Sequence, residues 1–82
     1  MYSVEFSQQA EKEFNKLNSE MQCRVVSVLD RISVRPLHFV KRLVGSNYYR
    51  LRVGDYRVIL DVKEDKLIIF VIELGHRSKI YD

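Results

Sequence analysis

The chain has 82 residues, enough for one domain over 1–82 and no second core, and its 46% apolar and 30% charged shares are those of an ordinary globular protein. Three Gly and one Pro leave no linker or low-complexity tail. The net charge of +3 lies wholly in the second half, since residues 1–40 carry five basic and five acidic side chains and residues 41–82 carry nine and six; that excess is either a solvated basic surface or a polyanion site confined there.

Tyr2–Phe6, "YSVEF", alternates and predicts a short first strand. Ser7 is placed to cap the helix that follows, Gln8–Leu17, whose Ala10, Phe14 and Leu17 recur at helical spacing. A second helix opens at Ser19-Glu20-Met21-Gln22, the S-x-x-Q form of a capping box. Met21, Val25, Val28, Leu29 and Ile32 form its apolar stripe, and Pro36 biases Arg35 away from helical angles and stops it. Cys23 reads as a plain helix residue, because no histidine lies near it in sequence. One cysteine staples nothing internally, which fits a reducing compartment, and two histidines with it form no zinc spacing, so no metal is expected. His38, after Pro36, reads as structural or solvated.

The rest of the chain predicts a meander. Tyr48–Val53 is a strand, Gly54-Asp55 a hairpin turn, Tyr56–Val62 the partner strand, and Lys63–Lys66 a second turn into Leu67–Leu74. That last strand is apolar on both faces, as in a sheet covered on both sides. Its run Leu67–Ile72 is too short to cross a bilayer, and no basic-then-apolar leader precedes it, so a cytoplasmic protein with no membrane partner is expected. The order β-α-α-β-β-β predicts an α+β fold, with an N-terminal helical hairpin packed on a twisted antiparallel sheet.

Strand alternation puts Tyr48, Arg50 and Arg52 on one face and Tyr49, Leu51 and Val53 on the other. In the next strand Arg57 again stands opposite the apolar set, sharing its face with Ile59 and Asp61. Arg77 follows Gly75-His76 at the end of the last strand. These arginines either cover a wet sheet face, paired with Asp55, Asp61 and Glu73, or converge on an anion. Crowded guanidiniums repel one another, and a planar fork suits phosphate oxygens. Tyr48, Tyr49 and Tyr56 lie among them, as rings on which single-stranded bases stack.

"YRLRVGDYRVIL", a further apolar strand and "GHRSKIYD" together resemble the RelE/ParE superfamily of type II toxins, the RelE branch in particular, over nearly the whole chain. The resemblance implies a fold of the microbial-ribonuclease kind and a ribosome-dependent endoribonuclease, an mRNA interferase that cuts mRNA in the 30S A site and halts translation. By position, Arg57 of "GDYR" and Arg77 of "GHR" match the family's catalytic arginines, and Arg50 and Arg52 match the two basic residues before them. Tyr81 matches the tyrosine near the end; Arg52, Arg57, Arg77 and Tyr81 thus make the implied catalytic set. Lys41, Arg42, Arg50, His76 and Lys79 make the implied RNA-binding set. The chain departs from the RelE prototype at Val44 of "KRLVG", where a basic residue stands there, and at His76, which replaces a lysine. The "VGDY" hairpin is shorter by two residues, and the C-terminal helix of some members has no counterpart.

Such a nuclease uses no cofactor: the 2′-OH attacks its own phosphate, leaving a 2′,3′-cyclic phosphate and a free 5′-OH. Arginine does not deprotonate in proteins, so the base is Tyr81, His76, or a group of the substrate or ribosome. A RelB-like antitoxin is the implied partner, covering the helix hairpin and the basic sheet. Two rival readings are a ParE-like poison of DNA gyrase and an RNA-binding module that does not cleave.

Overall fold

A computed structural model describes residues 1–76, so Arg77, Lys79 and Tyr81 lie outside the described residues. The elements run β1 (Ser3–Phe6), α1 (Gln8–Asn15), α2 (Ser19–Ile32), a 3-10 turn over Pro36–His38, β2 (Lys41–Arg42), β3 (Tyr49–Val53), β4 (Tyr56–Lys63) and β5 (Ile68–His76). The α+β architecture predicted from the sequence is the one observed, with two helices laid on a sheet.

Ser7 caps α1 as expected: its Oγ accepts from the Ala10 amide at 3.0 Å. The second cap differs. Asn18, not Ser19, is the N-cap of α2, its Oδ1 accepting from the Met21 amide at 2.8 Å. Asn18 carries an equally good cap acceptor one residue upstream, and its extended backbone (ψ 164°) ends the first helix early, at Asn15 instead of Leu17. Gln22 therefore closes no capping box; its side-chain amide donates to the Phe14 carbonyl at 3.0 Å and ties the two helices together. The helix stops at Ile32, and Ser33 turns its hydroxyl back onto the Asp30 carbonyl.

The sheet has five strands in the order β1-β5-β4-β3-β2. It is mixed, not antiparallel as predicted, because β1 pairs in parallel with β5 while every other neighbour is antiparallel. Alternation fixes which face a side chain takes but not which strand lies beside it, so the pairing of the first strand with the last had no local signal. The two-residue β2 is too short to alternate at all. At the β3–β4 turn Gly54 takes φ 59°, as a glycine at the first turn position of a tight hairpin does. A Cβ there would stand 3.2 Å from the Arg24 guanidinium, which α2 lays against the turn.

The core lies between the helices and one sheet face. Ala10, Val25, Leu29 and Ile32 pack on Leu51, Val53, Val58, Leu60, Ile69, Val71 and Leu74. The opposite face of β5 is not closed over as its apolar sequence predicted: Ile68, Phe70 and Ile72 stay half-buried, while Ile69, Val71 and Leu74 are buried. Between Ile59 and Leu60 the β4–β5 register slips, leaving Ile72 as the extra residue of a bulge. α1 takes up the backbone groups freed there. The Ser7 hydroxyl donates to the Ile72 carbonyl at 2.6 Å, and a Glu13 carboxylate oxygen accepts from the Leu74 amide at 2.9 Å.

Candidate functional site

The face turned away from the helices carries the basic residues of the meander. Leu51 and Val53 anchor β3 in the core, so the alternating Arg50 and Arg52 point outward. Val58 and Leu60 do the same for β4 and turn Arg57 outward. The register then brings them together: Arg52 stands directly opposite Arg57, Arg50 opposite Ile59, and Lys41 opposite Arg50. Four cations from three strands thus occupy adjacent positions on one face. Arg52 and Lys41 are exposed, while Arg50 and Arg57 are half-buried, with the Nε of Arg57 fully buried. Ile59 is buried on this same face, outside the main core, between Arg50 and Glu73 in the register. Long arginine stems offer such a residue apolar cover while keeping the charged heads outward.

Two acids lie near these cations. Asp61 pairs with Lys63 at 2.9 Å, and that hydrogen bond and charge raise the Lys63 pKa above its ordinary value. Glu73 accepts from the Gln9 side chain at 3.2 Å. The face thus carries four cations together with two acids, Glu73 opposite Ile59 and Asp61 opposite Phe70.

Two residues of the expected RNA-binding set lie elsewhere. Arg42 is opposite Tyr49, so it takes the other face from Lys41. There its guanidinium sits 5.8 Å from the Tyr49 ring centre and donates to the Ser46 carbonyl and the Asn47 side chain. His76 is opposite Tyr56, on the face away from Arg57, and the two rings meet edge-on at 5.6 Å. A two-residue strand and a strand end are where face assignment from sequence is weakest.

Residues 4–81 match the family described as the ParE toxin of type II toxin-antitoxin system, parDE. The chain belongs to this toxin family. It is 31% identical to the mRNA interferase toxin RelE of Escherichia coli K12, over 98% of this chain and 90% of that protein. The archaeal RelE–RelB complex of Pyrococcus horikoshii OT3 contains a chain that superposes with a TM-score of 0.80 at 29% identity, covering 96% of this chain and 98% of that one. The RelBE2 toxin–antitoxin complex of Mycobacterium tuberculosis shares the fold, with a TM-score of 0.83 at 24% identity over 93% and 98% of the two chains. This ParE-family chain is thus a type II toxin related to RelE, and no helix among its described residues is long and apolar enough to cross a membrane.

One residue of the site escaped the sequence reading. Phe39 lines, with Lys41, Arg50 and Arg52, a cleft of about 270 Å³ on the basic face of the toxin. Phe39 ends the 3-10 turn with helical backbone angles and stands outside any strand, so no alternation in "HFVKR" signals its place, while Val40 after it packs toward the core. Among the described residues no group of three or more His, Cys, Asp or Glu side chains gathers in one place.

Proposed function

We propose that this toxin is an endoribonuclease that cuts mRNA on the ribosome, in the 30S A site, by attack of the 2′-OH on the neighbouring phosphate, without metal or other cofactor. The observation that carries the reading is the Arg52–Arg57 cross-strand pair with Arg50 and Lys41 beside it. Guanidinium forks gathered from neighbouring strands suit phosphate oxygens, and a phosphodiester gaining charge in a trigonal-bipyramidal transition state is stabilised by such donors. Names of relatives support the same activity.

Arg57, half-buried and held in the middle of the sheet, stabilises the phosphorane, and Arg52 opposite it shares the charge. Arg50 and Lys41 hold the phosphate backbone. Arg77 and Tyr81 take the family's second arginine and terminal tyrosine roles, with Lys79 adding charge. Tyr81 is the better proton carrier of the two side chains considered, because His76 is paired with Tyr56 on the face away from Arg57. Positioning supplies much of the rate, and an oriented intramolecular nucleophile contributes roughly 7–11 kcal/mol. A RelB-like antitoxin that covers these cations neutralises the toxin in the cytoplasm, a partner supported by the toxin–antitoxin complexes among its structural relatives.

Primer extension on cellular mRNA after induction tests the activity. The native chain should generate new 5′ ends at fixed positions within codons, and Arg57→Ala should abolish them. Growth arrest with intact transcripts, unchanged by Arg57→Ala, would instead indicate a gyrase poison or a non-cleaving binder.

A further inference from the structure

Phe39 is a large apolar side chain left 49% exposed at a cleft whose other lining residues are cations. Its backbone is held on both sides. The 3-10 turn Pro36–His38 ends on it, its amide donates to the Pro36 carbonyl at 3.1 Å, and the His38 ring meets it edge-on at 5.4 Å. Val40 anchors the next residue inward, and Lys41 is tied into the sheet opposite Arg50. The ring is one wall of the cleft whose other walls are Lys41, Arg50 and Arg52. At about 270 Å³ the cleft is near the ~300 Å³ lower bound of small-molecule sites, a size suited to one nucleotide.

An apolar ring ringed by guanidinium and ammonium groups suits a ligand that is flat and apolar at one end and anionic at the other. An unpaired nucleotide is such a ligand. We propose that Phe39 is the stacking platform for one unpaired base of the RNA strand, with the phosphate beside that base held by Lys41, Arg50 and Arg52. The inference rests on reading this face as an RNA site, and it adds a base subsite next to the scissile phosphate. Stacking on one ring is tolerant of base identity, so the subsite fixes the strand's position more than its sequence.

The test uses a fully 2′-O-methylated oligoribonucleotide, which binds but cannot be cut, and measures its affinity by fluorescence anisotropy over a range of salt. Phe39→Ala should weaken binding by roughly 5- to 150-fold, the loss typical of one base–aromatic stack. Phe39→Trp should restore it and Phe39→Leu should not, because the need is for a π face. The salt slope should stay unchanged in Phe39→Ala but fall by about 0.7 in Arg52→Gln, the change for one phosphate contact on a single strand. An oligonucleotide with 2-aminopurine at the stacked position should lose fluorescence on binding the native chain and not on binding Phe39→Ala. Native-like affinity in Phe39→Ala overturns the subsite while a reduced slope in Arg52→Gln keeps the RNA face. If neither variant changes affinity or slope, the RNA reading falls with it.

Discussion

Arg52 and Arg57 face each other across the β3–β4 ladder, one exposed and one half-buried, on the side of the sheet that the helices leave open. Directly opposed like charges weaken a strand pair, and opposed unlike charges strengthen it by about 0.2–1 kcal/mol. Arg52→Glu should therefore raise the urea midpoint and the melting temperature, the latter by several degrees for a domain of this size. The same variant should lose mRNA cleavage in the primer-extension assay. A gain in stability with a loss of activity is the signature of charge kept for function at the expense of the fold.

The bulge in β5 is braced from α1, and the brace is testable. Glu13→Ala leaves the Leu74 amide without its acceptor, and an unsatisfied, part-buried donor costs about 1–3 kcal/mol. Glu13→Gln keeps an acceptor oxygen and should lose less. Chemical denaturation of both variants, read as a shift in midpoint at constant slope, separates them.

The two candidate caps of α2 give opposite expectations. Asn18→Ala should cost about 1 kcal/mol, because it removes the acceptor of the Met21 amide. Ser19→Ala should change stability little, since Ser19 is already a helical residue and alanine is the better helix former. Parallel thermal melts of the two variants decide between the cap observed and the capping box that the sequence predicts.

Leu67, at the entrance to β5, has φ 54°, where a side chain with a Cβ pays about 1–2 kcal/mol. It is 48% exposed, so replacing it removes little packing. Leu67→Asn should stabilise the chain by up to about 1 kcal/mol, seen as a higher urea midpoint with cleavage unaltered.

How much of this was legible in the sequence follows from the range of each interaction. As cap, helix stop and turn, Ser7, Pro36 and Gly54 act on neighbours within four residues, and in those roles each does what its local chemistry dictates. The outward turn of Arg50, Arg52 and Arg57 was legible too, because Leu51, Val53, Val58 and Leu60 alternate with them and have only one place to go. Asn18 was missed because two cap-forming residues stand side by side and the sequence pattern favoured the one with glutamine three positions later. Arg42 lies in a two-residue strand that shows no alternation, and His76 lies beyond the bulge at Ile72, which shifts the alternation along β5. The slip at Ile59/Leu60 and the partner of β1 are relations between distant segments.

The parallel pairing of β1 with β5 joins Ser3 to Ile68, a separation of 65 residues (68 − 3). Contacts so far apart along the chain form late, because the closure entropy must be met before they stabilise anything. During synthesis the β2–β4 meander, with its arginines, is complete in the nascent chain well before the edge strand finds its place. Ser7, at the end of that strand, also needs Val71 and Ile72 for its hydrogen bonds, so the first helix docks on the same late event. Final assembly therefore awaits nearly all of the polypeptide, and a truncated product ending before Ile68 would carry the basic face without the scaffold that holds it rigid.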